Sequence, residues 1–482
     1  MRSRFGLIAV VALATFSARA QEPVPPPGGC HYEIALLDAE ARALEVAMAC
    51  DGDGPHRIST YRYITDAHIR GLRGVEGSEV AKDEDAWVLK GARGIARAVY
   101  RFDVDEMAGS TNSPSIGQRV GASIVASVRS FLLVPDGGRV PMALTVRFHA
   151  PAGAKVLTGL ADASANDRIS RLHTGDFGYI GFIAMGRIEE LRIPVKGRNG
   201  AGAGTLTVAV LDGRRKATSA ELQRWFAASA ERIAEFFGGF PTRHALIVLE
   251  PVAGQRYLRR GMVAGGGGAT MLLRIGADTE AGDLFGQWML MHELVHFGAP
   301  FIDNHAWLME GMAVYVETRL RVAAGWFPED HAWRGFLRNF RQGMAAMEQQ
   351  GLAKSRGIGP VYWGGTLFML LADAEILERS RGERSLADCF RAVLDRGGDT
   401  SQRWPIERFI AVCDAATGGD TVKRLAGAHA WKGTRLDLAT VLARLGVQLG
   451  EYEAGVVYDD KAPLAWVRKR IMHGPEKALP RE

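Results

Sequence analysis

The chain has 482 residues, of which 47% are hydrophobic and 23% charged. This composition is typical of globular proteins and excludes a largely disordered chain. The formal net charge of +5 is small for the length, and basic residues neither form dense runs nor alternate with aromatics, so nucleic-acid binding is not expected.

The first twenty residues have the pattern of a secretory signal peptide. Two arginines precede an apolar run over residues 5–16, and Ala18-Arg19-Ala20 fits a small-residue cleavage site. An uncleaved anchor is the alternative, although the apolar run is short for a bilayer. We therefore predict export to a periplasm or the extracellular space, without stable membrane insertion, and a flexible segment at 21–29.

The four cysteines fall into two close pairs, Cys30 with Cys50 and Cys389 with Cys413. An even number of cysteines in an exported chain favours two local disulfides. Four separate buried thiols are the alternative. No Cys-x-x-Cys spacing occurs that would indicate a metal site built from them.

Residues 30–215 predict a β-rich N-terminal domain of sandwich-like form. Short apolar runs alternate with turn residues, and "VPMALTVRFHAP" has the period of a half-buried strand. Helical spacing begins near residue 217, and helices dominate after residue 281. We divide the remainder into 216–350, a helical part at 351–460 and a basic tail at 461–482, which gives an α+β chain.

One helical segment, "DLFGQWMLMHELVHFGAP", carries two histidines four residues apart. That spacing puts His292 and His296 on one face of a helix, one turn apart, where both can bind one tetrahedral Zn²⁺. Glu293 projects beside the metal and can deprotonate its water. Two satisfied core histidines would be the structural alternative.

A third donor follows in the next apolar helix, "AWLMEGMAVYVE". A carboxylate in such a helix is costly to bury unless it binds a metal or another partner, so Glu310 is the expected third ligand of one zinc ion per chain. Glu317 lies two turns later, where it would either hydrogen-bond a ligand histidine or face solvent.

The segments "HELVH" and "WLMEGMAVYVE" resemble the gluzincin zinc metallopeptidases, especially the glycyl aminopeptidase family, which is related to aminopeptidase N. Similarity continues in "VYWGGTLFMLLADAEILERSRGERSLADCFRAVL". The resemblance implies a thermolysin-like catalytic domain at 216–350, which contains the HExxH helix and the Glu-ligand helix, with 351–460 as its helical C-terminal part.

The resemblance also implies further site residues. Tyr362 matches the tyrosine that stabilises the oxyanion in such peptidases. The glycines Gly265, Gly266, Gly267 and Gly268 match a substrate-binding segment, although a flexible loop is the alternative. In the family an acid near this segment commonly binds the free amino terminus, and this segment has none.

The predicted function is an exported zinc metallopeptidase that acts on a peptide or protein substrate, with Glu293 as general base on zinc-bound water. The choice between aminopeptidase and endopeptidase stays open, as does the oligomeric state. A catalytically silent, exported peptide- or protein-binding protein that retains the peptidase fold is the second hypothesis.

Overall fold

In a computed structural model of the chain, the described residues are 24–111, 113–136, 141–160, 169–450 and 455–474. The predicted signal peptide lies outside them. The α+β class predicted from the sequence is confirmed, because a multi-sheet N-terminal part is followed by a largely helical one.

The N-terminal part consists mainly of short strands. They are β1 (Cys30–Leu36), β2 (Ala43–Asp51), β3 (His56–Ser59), β4 (Ile69–Gly74), β5 (Glu79–Asp83), β6 (Ala86–Lys90), β7 (Ile95–Asp103), β8 (Gly117–Val120), β9 (Ser123–Ala126), β10 (Val134–Pro135), β11 (Ala143–His149), β12 (Lys155–Thr158), β13 (Ile169–His173) and β14 (Ile183–Gly186). One helix, α1 (Val104–Thr111), follows β7.

These strands form three sheets. A six-stranded sheet has the order β13-β11-β1-β2-β7-β4, and two four-stranded sheets have the orders β10-β3-β6-β5 and β12-β14-β9-β8. In the first sheet β1 and β11 are parallel, while the other neighbours are antiparallel. The predicted disulfide between Cys30 and Cys50 is confirmed and joins directly opposed residues of β1 and β2.

A five-stranded mixed sheet forms the base of the second part. Its strands are β15 (Glu189–Val195), β16 (Gly204–Val210), β17 (His244–Val252), β18 (Leu258–Ala264) and β19 (Ala269–Gly276), in the order β15-β16-β17-β19-β18. Sequence analysis placed residues 189–210 in the N-terminal domain, but β15 and β16 pair with this sheet. Alternating hydrophobicity shows which face of a strand is buried, not which sheet it joins. The division between the two parts therefore falls after β14.

Both faces of this sheet are covered. On β17, Ile247 and Leu249 face the helices, whereas Leu246 and Val248 share a core with Val125 of the sheet β12-β14-β9-β8. A strand buried on both faces needs a continuous apolar run, and "ALIVL" in β17 is one. The N-terminal part is thereby packed directly on the sheet that supports the site.

Helices make up most of the rest of the chain. They are α2 (Ser219–Phe237), α3 (Ala281–Leu284), α4 (Met289–His296), α5 (Ala306–Ala323), α6 (Glu329–Gln349), α7 (Gly365–Arg379), α8 (Leu386–Asp395), α9 (Ile406–Thr417), α10 (Thr421–Leu425), α11 (Leu438–Leu445) and α12 (Ala465–His473). Two short strands, β20 (Val447–Leu449) and β21 (Val456–Tyr458), form a hairpin after α11.

The local sequence explains where α2 begins and ends. Thr218 and Glu221 form a reciprocal capping box at its start, and Gly238 ends it in the left-handed conformation. Trp225 and Phe226 are buried against the five-stranded sheet and its helices, each contributing about 2–3 kcal/mol from its burial.

The C-terminal region differs from the predicted tail. Residues 465–473 form α12, and its apolar residues Val467, Ile471 and Met472 are buried against α5 and α7. Basic side chains hid this short apolar face, because Lys and Arg occupy the positions between its members. The second predicted disulfide, Cys389–Cys413, is confirmed and joins α8 to α9. Among the described residues, none of the helices has the length and apolar character needed to cross a membrane.

Candidate metal centre

The two histidines of α4 lie on one face of a helix that is buried along its length. His292 and His296 are four residues apart, and their ring centroids are 5.0 Å apart at nearly a right angle. His292 is 2% exposed. The Trp288 ring is nearly perpendicular to it and the Tyr362 ring nearly parallel, with centroids 5.1 and 5.9 Å away.

Helix α5 brings the third predicted ligand to the same point. Glu310 Oε2 lies 3.1 Å from Nε2 of His292 and 3.7 Å from Nε2 of His296. Ligand atoms of these three side chains all lie within 4.8 Å of one another, and they form the one such group of histidine and acidic ligands found in the described residues.

The donor set fits Zn²⁺. A tetrahedral ion with ligands at about 2.1 Å separates neighbouring ligand atoms by about 3.4 Å, and the two distances to the Glu310 oxygen bracket that value. Two imidazoles and one carboxylate leave a fourth position for a water or substrate oxygen, the ligand count of hydrolytic zinc sites.

The protonation equilibria favour the ligand forms of two donors. Burial lowers the pKa of His292, against the effect of the hydrogen bond that it donates to Glu310. Burial alone would raise the pKa of Glu310, but hydrogen bonds with His292 and His296 outweigh it and hold that pKa well below the ordinary range. A neutral imidazole and an ionised carboxylate are the forms that bind a metal.

Glu293 is buried beside the donors and next to the edge strand β18. Burial raises its pKa to about 7; the charge of His296 opposes this shift, and that of Glu310 adds to it. A Cβ atom at Gly261 of β18 would overlap the Glu293 carboxylate. Glycine at this position is therefore what lets the strand pass so close to the acid.

Tyr362 lies in a π-helical turn, Gly359–Gly364, that leads directly into α7. Its ring is nearly parallel to that of His292, with an interplanar angle of 4°. Burial, followed by the charge and hydrogen bond of Glu310, raises its pKa, so the phenol keeps its proton. The backbones of Gly311 in α5 and Gly365 in α7 are in contact. Because Tyr362 lies just before α7, this close approach of the two helices places it next to the donors.

Comparison with known proteins finds similarity in structure only. No protein-family model and no curated protein matches the sequence. An aminopeptidase N family protein from Idiomarina loihiensis superimposes with a TM-score of 0.65 at 16% identity, covering 88% of this chain and 81% of that one. An M1 zinc metallopeptidase from Deinococcus radiodurans has a TM-score of 0.51 at 14% identity over 84% and 93% of the two chains.

The chain has the M1 zinc metallopeptidase fold. A further structure with this fold, a mutant of the Deinococcus radiodurans enzyme bound to a Tyr-Ser-Ala substrate, matches with a TM-score of 0.51 at 14% identity, over 85% of this chain and 94% of that one. The gluzincin-type resemblance read from the HExxH helix and the Glu-ligand helix therefore extends to the three-dimensional arrangement of most of the chain.

Within this M1 fold, Glu317 does not make the hydrogen bond to a ligand histidine that the sequence suggested. Its carboxylate accepts from Thr318 Oγ1 at 3.0 Å and from Arg321 at 3.2 Å. Nδ1 of His292 is buried and has no hydrogen-bond partner among the described residues. Burial raises the pKa of Glu317 to about 7, although Arg321 and Thr318 oppose the shift.

The glycine run occupies the turn between β18 and β19, and it mostly contacts the N-terminal part. Gly266 donates its N–H to the carbonyl of Tyr179 at 3.0 Å, and Gly268 forms an isolated bridge with Leu160. Gly267 has a φ of +76° and lies against Leu160 and Leu172. Gly265 alone of the four lines the cleft that contains Glu293, so the other three serve packing rather than the cleft wall.

The M1 fold places the site at the bottom of a cleft of about 470 Å³. Edge strand β18 and the loop between α4 and α5 form two walls. The N-terminal part forms another wall, to which Ser115, Arg129, Tyr179, Ile180 and Phe182 contribute. Sequence analysis missed these residues, because they come from separate loops and share no local pattern.

Proposed function

We propose that this chain is an exported zinc-dependent metallopeptidase that hydrolyses peptide bonds, with one zinc ion held by His292, His296 and Glu310. The convergence of these three donors beside the Glu293 carboxylate carries the proposal. The M1 zinc metallopeptidase fold, shared with a structure bound to a peptide substrate, supports it.

A zinc ion in this site would polarise a peptide carbonyl and lower the pKa of a water molecule. Glu293 then acts as general base: its carboxylate takes a proton from the attacking water and passes it to the leaving amine. Burial raises the pKa of Glu293 in the metal-free site, and a bound zinc ion would lower it again, which favours the ionised carboxylate that a general base needs.

Tyr362 is proposed to stabilise the oxyanion. Its phenol lies beside Glu310 and stays protonated, as the raised pKa indicates. An O–H donor aimed at the carbonyl oxygen is worth most in the transition state, where the charge on that oxygen grows.

Edge strand β18 is proposed to bind the substrate backbone. It is the last strand of its sheet, and residues 261–265 line the cleft. An edge strand has unpaired N–H and C=O groups along one side, so an extended peptide can add to it as a further strand. This mode holds the scissile carbonyl close to Glu293, which Gly261 contacts.

Export is proposed from two observations. The first twenty residues have the signal-peptide pattern, and the two disulfides suit an oxidising compartment. Mass spectrometry of the mature N-terminus in an exporting host tests this, with cleavage after Ala20 as the expected result.

The decisive test is Glu293→Gln. We expect the variant to retain about one zinc per chain by elemental analysis, because Glu293 is not a donor. Peptide hydrolysis should fall by about 10²–10⁴-fold, the usual contribution of a general base. Glu231→Gln, an exposed change on α2, is the matched control and should leave the rate unchanged.

Two results would contradict the proposal. Full hydrolysis by Glu293→Gln would exclude the base. A wild-type protein that binds zinc but cleaves neither free nor N-blocked peptides would instead identify a silent binding protein with this fold.

A further inference from the structure

One arginine of the N-terminal part lines the cleft opposite the metal donors. Arg129 lies in the short 3₁₀ turn Val128–Ser130. Its guanidinium donates to the carbonyl of Phe177 at 2.7 Å and to that of Ser115 at 3.3 Å. Two backbone carbonyls thus fix the group, and they use only part of its five N–H donors.

A side pocket of about 170 Å³ adjoins the cleft and shares Ser115 and Arg129 with it. Arg62 also lines this pocket. Both guanidinium groups lie over the ring of Tyr61, at 5.1 Å for Arg62 and 5.5 Å for Arg129. Two cations and an aromatic ring therefore surround one small cavity.

No acid balances these charges within the described residues. None of the residues found to line the side pocket is an aspartate or glutamate, and neither arginine forms an ion pair there. Arg274 and Arg403, two other arginines near the junction of the two parts, pair with Glu250 and Asp303. The contrast distinguishes Arg129, which is half-buried, from these paired arginines, whereas Arg62 is exposed to solvent.

The only acids found among the described residues of the main cleft are Glu293 and Glu310, which the proposed chemistry already uses. A desolvated guanidinium without a counter-ion is unfavourable. Burial, followed by the nearby Arg62, lowers the pKa of Arg129, against the effect of Tyr61. A carboxylate bound there would supply the missing counter-charge and offset the repulsion from Arg62. It would accept charge-assisted hydrogen bonds from the remaining N–H groups of Arg129.

The distance from the scissile bond is short. A sphere with the volume of the cleft, about 470 Å³, is about 10 Å across, a length that an extended peptide spans with about three residues. A carboxylate bound by Arg129 thus belongs to a residue within about three positions of the cleaved bond.

We propose that Arg129, assisted by Arg62, determines specificity by binding a carboxylate of the peptide substrate. The cleft then favours peptides with an Asp or Glu side chain, or a free C-terminal carboxylate, near the scissile bond. This inference rests on the proposed peptidase function.

The test uses the zinc-loaded full-length protein and N-acetylated, C-amidated fluorogenic peptides that carry one Glu or one Gln, moved through each position. We expect kcat/KM for the best Glu peptide to exceed that of its Gln partner about 10-fold or more. Arg129→Gln should reduce this ratio to within about 2-fold, and Arg62→Gln should reduce it partly.

A second arm distinguishes the two sources of the carboxylate. An all-Gln peptide is compared as the free C-terminal acid and as the amide. A preference for the acid that Arg129→Gln abolishes identifies the chain terminus, whereas a preference confined to the Glu series identifies a side chain.

The controls separate specificity from folding. Each preference is a ratio measured on one preparation, so a partly unfolded variant does not distort it. Arg129→Lys retains the charge and should retain part of the preference. Arg70→Gln, which removes an exposed arginine paired with Glu106, should leave the ratio unchanged.

A binding measurement keeps the inference testable if hydrolysis fails. Fluorescence anisotropy on Glu293→Gln compares the Kd values of the same Glu and Gln peptides. Absence of cleavage of both free and N-blocked peptides by the wild type would defeat the proposed function, while a Glu preference in binding would still support Arg129. Ratios within about 2-fold in hydrolysis and in binding, for both arms, would overturn the inference.

Discussion

At the scale of single residues, each side chain of the site has a distinct physical role. The imidazole of His292 contacts the rings of Trp288 and Tyr362, and its Nε2 lies 3.1 Å from Oε2 of Glu310. Tyr362 thus contacts the site in two ways, through its ring face and through its phenol. These two contributions can be separated by removing the oxygen alone.

Tyr362→Phe keeps the ring stacked on His292 and removes the O–H. We expect kcat to fall by about 10²-fold, with KM changed only a few-fold, because the donor acts mainly on the oxyanion. Steady-state kinetics on an N-blocked peptide measures both values, and elemental analysis should still find one zinc per chain. An unchanged kcat would remove Tyr362 from the proposed machinery.

A free amino terminus has little to bind in the cleft. The lining segment of β18 has an apolar side chain, Val263, at its middle and offers no carboxylate there. The acids identified among the described lining residues are Glu293 and Glu310. We therefore expect N-acetylation of a good peptide substrate to change kcat/KM by no more than about 3-fold, since no ammonium–carboxylate pair is lost. Paired assays of free and acetylated peptides measure this ratio. A loss of about 100-fold would show that the chain anchors the terminus by another group.

The structure brings the three predicted donors together, whereas no sequence pattern indicated the residues of the cleft wall. His292, Glu293 and His296 follow from the repeat of one helix, and Glu310 follows from the cost of a carboxylate in an apolar helix. Arg129 belongs to a turn about 160 residues before α4, and nothing in its neighbouring sequence indicates what it faces.

At the scale of elements, close contacts fix the register of neighbouring segments. In the six-stranded sheet, the parallel pair β1 and β11 is joined by Glu33. Its carboxylate pairs with Arg147 at 2.8 Å and with His149 at 2.6 Å on β11, and with His31 at 2.9 Å on its own strand. Because these strands are parallel, no hairpin turn joins them. The side-chain contacts of Glu33 with Arg147 and His149 join them instead.

Glu33 makes the stability of this sheet depend on pH. Burial alone would raise its pKa, but the hydrogen bonds with His149 and His31 lower it from the ordinary 4.5 to about 2. The ionised group therefore stabilises the fold above pH 4.5, and this contribution is lost as the pH falls toward 2. We expect Glu33→Gln to cost on the order of 2 kcal/mol at pH 7 and much less at pH 2.

Urea unfolding of wild type and Glu33→Gln at both pH values measures that difference. Glu79→Gln, an exposed change on β5, is the control and should have little effect at either pH. An equal cost of Glu33→Gln at pH 7 and pH 2 would show that ionisation is not involved.

Local signals in the sequence predict some helices and strands, but not their partners. Helical spacing from about residue 217 is such a signal, and α2 begins at Ser219. The parallel pairing of β16 with β17 is not local, because α2 lies between the two strands in the sequence. The helix α12 within the predicted basic tail was missed for a related reason, since its apolar face is recognisable only beside α5 and α7.

At the scale of the whole molecule, a bound metal would connect α4 to α5. Zinc would bind the folded site and not the separated donors of an unfolded chain, so it should add to the free energy of unfolding. We expect chelation to lower Tm by several degrees and re-addition of zinc to restore it, as measured by differential scanning calorimetry. His296→Ala should begin at the lower Tm and should not respond to chelator. A wild-type Tm that does not respond to chelator would argue against a metal in this site.

The double-sided burial of β17 makes the two parts mutually dependent. Cutting the connection after β14 would strip the cover from Leu246 and Val248 on one fragment and from Val125 on the other. Each fragment expressed alone would then expose an apolar sheet face and should aggregate. Co-expressed in one cell, the two fragments should instead find each other and reconstitute a nicked but assembled protein.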